Sequence, residues 1–221
     1  MDFNQENIDT YKNESAVNHY NKITEIKEIE KKLIALYFKS PVLDLGCGVG
    51  RTTKFLFDNG FSVIGVDIIE EMVNKAKKIY PEINFRVGDA CNLKFKGNSF
   101  KSVFFSFNGL DYIFPEGKRI KALKEIERVL KKDGILVFSS HNPFALFFRF
   151  RPKFLLRNLK KGSIFSSYKM EAHPFGELYT YYSSPRKQIK MVEKNTNLRF
   201  VGKYSSGIKD LHPHYVFKKI Q

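Results

Sequence analysis

The stretch Val42-Leu-Asp-Leu-Gly-Cys-Gly-Val-Gly-Arg51 decides the fold. Its first four residues are apolar and β-prone, with a single acid, Asp44, near the carboxyl end. Glycines follow at alternate positions, and glycine permits positive φ angles and lets a ligand approach the backbone closely. A helix pattern begins near Arg51, and its free N–H groups would face the same crevice. The sequence therefore predicts a strand, a turn and a helix that form a nucleotide-type cofactor site in an α/β sheet.

The spacing of these glycines separates two classes of cofactor. The dinucleotide fingerprint is G-x-G-x-x-G/A, and counted from Gly46 its third small position falls on Arg51, so the match fails. The spacing is Asp-x-Gly-x-Gly-x-Gly instead, and it closely resembles motif I of the class I S-adenosylmethionine-dependent methyltransferases. The acid Asp44 suits a cofactor with an α-ammonium group, whereas it would repel dinucleotide phosphates. A plain glycine loop is the alternative, but the strand before it and the helix after it argue against that interpretation.

Acids also end or follow the next two predicted strands. The strand from Ser62 ends at Asp67, about twenty residues beyond the glycines, where such folds place the carboxylate that accepts both ribose hydroxyls. A helix N-cap is the alternative role for this acid, and it is compatible with the first. A third strand, 83–87, precedes Asp89. In the family this acid faces the exocyclic amine of adenine, and a turn aspartate is the alternative.

The resemblance implies S-adenosyl-L-methionine as the cofactor. Residues 1–24 are polar and predict a loosely held N-terminal arm. In the family such a segment often folds over the cofactor, so Tyr20 is expected near the methionine end, with ordinary packing as the alternative. The residues expected to bind the cofactor are Tyr20, Asp44, Gly46, Cys47, Gly48, Gly50, Asp67, Ile68, Asp89, Ala90 and Phe107.

The resemblance also implies the fold. It is strong over residues 25–140 and holds in outline for the C-terminal strands. The expected fold is a single-domain α/β Rossmann-like three-layer sandwich spanning residues 1–221. Its seven-stranded sheet would be mostly parallel with an antiparallel last strand, and a lid insertion would follow the fifth strand.

The composition limits the kinds of protein to which this chain can belong. The 221 residues are 43% hydrophobic, enough for one domain with a full core. Two cysteines, Cys47 and Cys91, supply neither a disulfide framework nor a metal spacing, which favours a reducing, cytoplasmic setting. The polar N-terminus indicates no signal peptide, and no apolar run approaches the ~20 residues of a membrane span. The net charge of +15 suggests an anionic partner, although a lysine-rich composition alone produces such a charge.

Residues 141–184 depart from the family pattern. No acid occurs between Asp133 and Glu171. The segment instead alternates aromatic or aliphatic with basic residues: Phe144, Phe147, Phe148, Arg149, Phe150, Arg151, Lys153, Phe154, Leu155, Leu156, Arg157, Lys160 and Lys161. Because family members usually place a substrate lid here, the segment is expected to cover the acceptor and to hold an anionic group with its arginines. A solvated basic helix that packs its aromatics on the body is one alternative, and contact with an anionic membrane surface is another.

Candidate catalytic groups are few, because methyl transfer needs alignment and only sometimes a base. His141 is the best-placed base, since it follows the fifth strand at its carboxyl end, where ligands of open α/β sheets gather. His141 and the run Tyr179–Tyr182 are expected to face the transferable methyl group. The weaker candidates for the base are His173, Tyr181, Tyr182, His212 and His214. A structural role is the alternative for each of them, and we expect no metal.

Three functions compete. The first is methyl transfer to an oxygen or nitrogen atom of a small-molecule acceptor. The second is methylation of RNA, with the basic insertion following the phosphates. The third is a non-catalytic S-adenosylmethionine-binding protein, which the intact motif spacing disfavours. The segment Phe107-Asn-Gly-Leu110 lacks the Asn/Asp-Pro-Pro-aromatic motif, which argues against adenine-N6 or cytosine-N4 methylation of DNA.

Overall fold

The structure, a computed structural model, describes residues 3–143, 152–160, 166–205 and 210–221. Seven strands form one sheet in the order β3-β2-β1-β4-β5-β9-β8. They are β1 (Val42–Leu45), β2 (Val63–Asp67), β3 (Asn84–Val87), β4 (Phe100–Phe105), β5 (Leu130–Ser139), β8 (Leu198–Tyr204) and β9 (His214–Lys219). Every neighbouring pair is parallel except the two that involve β9. The predicted seven-stranded, mostly parallel sheet with an antiparallel last strand is confirmed.

Helices cover both faces of this sheet. The described helices are α1 (Phe3–Lys12), α2 (Glu14–Asn21), α3 (Glu28–Tyr37), α4 (Arg51–Asp58), α5 (Glu70–Ile79), α6 (Glu116–Val129), α7 (Pro152–Lys160) and α8 (Pro185–Asn195). Successive side chains of a strand point to opposite faces. Val42 accordingly packs with α3 and α4, while Leu43 packs with α6 and α8. The three-layer arrangement places the carboxyl ends of β1 to β4 at one edge, where the glycine turn begins.

Two strand boundaries differ from the sequence prediction. The apolar, aromatic run Phe100–Phe107 predicts a fourth strand over its whole length. Strand β4 ends at Phe105 instead, because Phe107 and Asn108 have φ angles of 51° and 60°. The stretch Lys132-Asp-Gly134 predicts a turn and a fifth strand that begins at Ile135. In the structure, α6 runs directly into β5 at Leu130. The register of β4 on β5 shifts between Phe100 and Ser102, so an irregular stretch of strand replaces the expected turn.

The polar N-terminal segment is not the loosely held arm that its composition predicts. It forms α1 and α2, and Ala16 and Val17 of α2 are buried. These side chains pack against Met72 of α5 and Phe175 from the insertion. A few apolar residues at helical spacing therefore dock a segment whose average composition is polar.

The insertion contains a helix and a β-hairpin. Strand β6 (Tyr168–His173) pairs antiparallel with β7 (Gly176–Tyr181), and α7 packs beside β6. We predicted no strands here; the signal was the β-prone run from Leu178 to Tyr182. The predicted lid residues Phe144, Phe147, Phe148, Arg149, Phe150, Arg151 and Lys161 lie outside the described residues. Across the described ranges, no helix is both long and apolar enough to cross a membrane.

Candidate active site

The glycine turn after β1 forms the floor of the site. The backbone N–H groups of Gly46 and Cys47 donate to the Val66 carbonyl at 2.7 and 3.1 Å, which ties the turn to β2. Gly46 has a φ angle of +68°, and a Cβ there would lie 2.8 Å from the ring of Phe105. A Cβ on Gly48 would meet nothing within 4 Å, so the backbone faces open space at this position. The turn thus exposes bare backbone to a ligand.

Asp67 at the end of β2 links this turn to the next helix. Its Oδ2 accepts from the Gly48 N–H at 2.8 Å, and its Oδ1 accepts from the Ile69 N–H at 2.9 Å. Burial raises the pKa of this carboxyl, and the two backbone hydrogen bonds oppose that rise. Each carboxylate oxygen keeps a second lone-pair direction for a further donor. Asp67 can therefore hold the turn and accept from ligand hydroxyls together.

One cavity of about 290 Å³ joins the turn to Asp67 and Asp89. Its size is close to the roughly 300 Å³ at which ligand pockets begin. The predicted cofactor residues on its wall are Tyr20, Gly46, Cys47, Gly48, Asp67, Ile68, Asp89, Ala90 and Phe107. The structure thus brings most of the predicted set together, while their individual roles stay predictions.

Asp89 lies at one end of this cavity. Its Oδ1 accepts from the Cys91 N–H at 2.8 Å, as a turn aspartate does, and the residue also lines the wall. Lys118 and Lys121 line the cavity too, and their charges act on the nearby Cys91 thiol. Burial raises the pKa of that thiol to about 12, so it is a neutral group at physiological pH.

Asp44 and Gly50 do not line the cavity, contrary to the expectation that all the motif residues would. Asp44 is fully buried beneath the turn, where the Thr53 hydroxyl donates to its Oδ2 at 2.6 Å. Its Oδ1 has no hydrogen-bond partner among the described residues. Burial raises the pKa of this carboxyl to about 7. Gly50 instead adopts a φ angle of +93° at the N-terminus of α4, a conformation that favours glycine.

The other end of the cavity is aromatic. Tyr11 from α1, Tyr20 from α2 and Tyr112 line it, and the ring of Tyr11 packs against the other two. Phe175 at the tip of the hairpin lies 5.7 Å, between ring centroids, from both Tyr11 and Tyr20. Burial raises the pKa of all three tyrosines, so their hydroxyls remain neutral. The hairpin and the N-terminal helices together form a hood over this end.

Comparison with known proteins identifies the part of the chain that carries the turn. Residues 42–134 match the family model described as methyltransferase domain. This part of the chain is therefore similar to a methyltransferase domain. Its boundaries enclose Asp44, Asp67, Asp89 and the glycine turn. The hood lies outside the match, on both sides of it.

Two relatives named as methyltransferases match the chain in sequence, and a solved structure shares its fold. The chain is 36% identical to a demethylmenaquinone methyltransferase of Paenarthrobacter aurescens, over 53% of this chain and 46% of that protein. It is 30% identical to a ubiquinone/menaquinone biosynthesis C-methyltransferase of Campylobacter jejuni, over 50% of this chain and 49% of that protein. The chain thus spans about half the length of these relatives. A crystal structure of a SAM-dependent methyltransferase from Methanosarcina mazei shares the fold, with a TM-score of 0.74 and 20% identity over 89% of this chain and 99% of that one. S-adenosylmethionine remains the predicted cofactor, and the methyltransferase match over residues 42–134 supports it.

His141, the expected general base, lies behind the cavity wall. Its side chain is 3% exposed, and Asp111 Oδ2 accepts from both its backbone N–H and its Nδ1, at 2.6 and 2.9 Å. Its Nε2 lies 3.5 Å from Asn108 Nδ2. The ring of Tyr112 packs edge-on against the imidazole and itself lines the cavity. His141 was expected to face the transferable methyl group, but Asp111 turns its ring into a buried network.

The weaker base candidates also lie off the described cavity wall. These are His173, Tyr181, Tyr182, His212 and His214. Burial lowers the pKa of His212 to about 3 and that of His214 to about 4, so both are neutral. Tyr182 donates to the Glu171 carboxylate within the network around His141. The run Tyr179–Tyr182, which was expected to face the methyl group, is buried at the end of β7 and directly after it.

Several residues on the cavity wall were not predicted. Asn7 links three elements: its side chain donates to the carbonyls of Tyr112 and Tyr179 and accepts from the Tyr179 N–H. Asn7, Tyr11 and Tyr112 carry no motif. Their positions depend on contacts between segments more than 100 residues apart.

The hood should respond to cofactor. If Tyr20 contacts the bound cofactor, amides of α2 (Glu14–Asn21) will exchange with deuterium more slowly when S-adenosylhomocysteine is present, because ligand contacts suppress local opening. We expect at least ~3-fold slower exchange, measured by mass spectrometry. The edge strand β8, which lies outside the cavity, provides the internal control. Identical α2 exchange with and without ligand would leave Tyr20 as ordinary packing.

Proposed function

We propose that this protein transfers a methyl group from S-adenosylmethionine to a small-molecule acceptor bound beneath the hood. The observation that supports it is the continuity of one cavity. The same space runs from the glycine turn and Asp67 to the tyrosines of α1 and α2. A cofactor bound at Asp67 and Asp89 and a planar acceptor bound among the aromatic rings would therefore share one cavity, with no protein between them.

Different residues of this chain would bind different parts of the cofactor. Asp67 would accept from the two ribose hydroxyls, and the bare backbone at Gly48 would let the cofactor approach closely. Asp89 would accept from the adenine amine. When bound, S-adenosylmethionine supplies an electrophilic methyl group on sulfur. The surrounding protein aligns the acceptor and excludes water.

The hood favours a small acceptor over RNA. The acceptor end is lined by Tyr11, Tyr20 and Tyr112, and Phe175 packs against the first two of these rings. A polynucleotide instead needs an open groove with cations along its backbone. Lys118 and Lys121 lie near Cys91, at the Asp89 end of the cavity, and Arg157 of the insertion pairs with Glu177 at 2.9 Å. Arg51, which also lines the cavity, donates to both oxygens of the Glu30 carboxylate, at 2.7 and 2.9 Å. Among the described residues, these cations either lie at the Asp89 end or pair with a carboxylate.

The acceptor would carry its own nucleophile. The described wall at the acceptor end presents tyrosines, whose pKa values burial raises, and His141 lies behind it. These phenols donate hydrogen bonds but do not remove protons at neutral pH. The new bond would form between the methyl carbon and an electron-rich atom of the acceptor as the sulfur–methyl bond breaks. The acceptor's proton would then pass to solvent.

The sequence predicts an oxygen or nitrogen atom as the methyl acceptor. The relatives add carbon as a third possible acceptor atom. The two named relatives act, by their names, on quinone precursors, and one of them is named a C-methyltransferase. A reduced quinone ring is planar, apolar and nucleophilic at carbon, which suits an aromatic hood. We therefore propose an aromatic acceptor of this general shape.

Methyl transfer from labelled cofactor tests this function. The purified chain would be incubated with methyl-labelled S-adenosylmethionine and a hydroquinone, a catechol and an amino-heterocycle. We expect label in an organic-extractable product from at least one of them. Label recovered in added transfer RNA instead would support the RNA alternative. Tight cofactor binding without transfer to any acceptor class would support a non-catalytic role.

Phe175 should affect turnover more than cofactor binding. Phe175→Ala opens the hood above Tyr11 and Tyr20, so we expect transfer to fall at least ~10-fold, because water enters and the acceptor loses alignment. The affinity for S-adenosylhomocysteine should change less than ~2-fold. Phe175→Leu should restore much of the rate, and Phe57→Ala, on the exposed side of α4, is the matched control. Normal turnover by Phe175→Ala would place the acceptor elsewhere.

A further inference from the structure

Helix α7 has one face that docks on the protein. The side chain of Asn158 donates to the Met170 carbonyl at 3.1 Å and accepts from the Met170 N–H at 2.9 Å, which ties the helix to β6. On the same side, Arg157 pairs with Glu177, and the ring of Phe154 packs near Tyr182. Phe154, Arg157 and Asn158 thus face the protein, where they have partners.

The opposite face of α7 presents leucines to solvent. Leu155, Leu156 and Leu159 are 45%, 54% and 60% exposed. At 3.6 residues per turn, these positions occupy one continuous arc of about 100°. A single exposed leucine is ordinary, whereas a contiguous apolar stripe marks an interaction surface. This leucine stripe, formed by residues 155, 156 and 159, is apolar on its outer side, which is the reverse of an ordinary surface helix.

Positive charge accompanies the leucine stripe. Lys153 and Lys160 are exposed and lie together at one edge of it, as their spacing along the helix requires. The helix contains no acid, and between residues 134 and 170 the sequence has seven Lys or Arg and no Asp or Glu. A partner for this face must therefore accept apolar side chains and carry negative charge beside them.

We propose that α7 binds an anionic lipid surface, with the leucine stripe in the boundary between headgroups and acyl chains and the flanking lysines at the lipid phosphates. Helices that lie in a membrane interface have an apolar face toward the acyl chains and lysines at the edge of that face. Anionic headgroups supply the charge complementary to Lys153 and Lys160. An RNA backbone would meet the lysines but would leave the leucines in water. A nine-residue helix implies weak, reversible binding.

Vesicle sedimentation tests this proposal. The full-length protein would be mixed with vesicles of phosphatidylcholine alone or of phosphatidylcholine with phosphatidylglycerol. We expect partitioning into the anionic vesicles at least ~10-fold above that into the neutral ones, and a decrease with added salt. The variant Leu155→Ser/Leu156→Ser/Leu159→Ser should lose at least ~10-fold of this binding. The variant Lys153→Gln/Lys160→Gln should lose several-fold.

Matched controls separate the stripe from general surface effects. Leu36→Ser/Val201→Ser removes exposed apolar residues from other elements, and Lys132→Gln/Lys194→Gln removes exposed charge elsewhere. Both controls should sediment like the unaltered protein. All variants should retain its circular dichroism and its affinity for S-adenosylhomocysteine, because their substitutions lie outside the cavity. This readout also separates the proposal from the proposed methyl transfer, whose failure would not change vesicle binding.

Three outcomes would overturn the proposal. The first is equal sedimentation of the unaltered protein and the triple leucine variant. The second is binding to polyuridylate that the lysine variant loses and the leucine variant keeps, without vesicle binding, which would assign the face to nucleic acid. The third is a dimer in solution that the leucine variant dissociates, which would make the stripe a contact between copies of this chain.

Discussion

Replacing Asp67 with alanine is expected to weaken the binding of S-adenosylhomocysteine about 10- to 100-fold. The carboxylate accepts from the Gly48 and Ile69 N–H groups, so the substitution removes both the proposed ribose acceptor and the anchor of the glycine turn. Either loss weakens binding, and both act in the same direction. Titration calorimetry of the purified variant measures the change directly.

Two comparisons make this experiment specific. Asp58→Ala removes an exposed carboxylate that pairs with Lys54 on the outer side of α4, and it should leave the affinity unchanged. Asp67→Asn keeps the shape but replaces one acceptor oxygen with a donor, so it should also bind weakly. Thermal unfolding without ligand reports whether the turn itself has been damaged. An Asp67→Ala protein that binds as tightly as the original would disprove the ribose assignment.

The cofactor half of the site could be predicted because its signals are local. The turn needs glycine where φ is positive and where a Cβ would meet Phe105, and those needs are visible in a few consecutive letters. Asp67 ends a short apolar strand, so its position at the carboxyl edge of the sheet follows from the strand pattern alone. Parallel strands then bring this acid beside the turn without any further information.

The hood could not be predicted, because its signals are spread over the whole chain. Asn7 lies in a polar sequence, yet it is buried because it bonds to Tyr179 across 172 positions. Composition averaged over the segment suggested a loose arm and concealed this contact. Long-range packing of this kind overrides local polarity.

The chain position of His141 could be predicted from the sequence, but the orientation of its ring could not. It follows β5 at the carboxyl edge, as the sequence indicated. Its ring orientation is determined by Asp111, which lies in a short 3₁₀ turn at Gly109–Tyr112 that carries no motif. Chain position located the residue, whereas the buried carboxylate decided which way it faces.

Asp44→Asn is expected to change how stability depends on pH. Burial raises the pKa of Asp44 to about 7 in the folded chain, from an ordinary value of 3.8. At pH values between 3.8 and about 7, the Asp44 carboxyl is protonated in the folded protein and ionised in the unfolded chain. The free energy of unfolding therefore falls as pH rises through this range. Since one pKa unit corresponds to ~1.4 kcal/mol, the ionised carboxylate costs up to about 4 kcal/mol above pH ~7. Asparagine does not ionise, so the variant lacks this loss.

Urea unfolding at two pH values measures this term. The free energy of unfolding of Asp44→Asn, relative to that of the unaltered protein, should rise by about 2–3 kcal/mol between about pH 5 and about pH 8. Other ionisable groups are common to both proteins and cancel in the difference. Asp133→Asn, at an exposed carboxyl that pairs with Lys218, is the control and should show at most a small change of opposite sign, because that pairing lowers the pKa of Asp133. A pH-independent difference for Asp44→Asn would mean that the buried carboxylate is stabilised by a partner that replaces water.

The same variant tests whether Asp44 serves the cofactor from beneath the turn. Its Oδ1 is a buried acceptor without a described partner, although the residue does not reach the cavity wall. If the ammonium group of bound S-adenosylhomocysteine acts on this carboxylate, ligand will favour its ionised form. The cost of ionisation would then shrink when ligand binds, and affinity would rise with pH in the unaltered protein but not in Asp44→Asn. Parallel affinity profiles for the two proteins would instead assign Asp44 to the packing of the turn against Thr53.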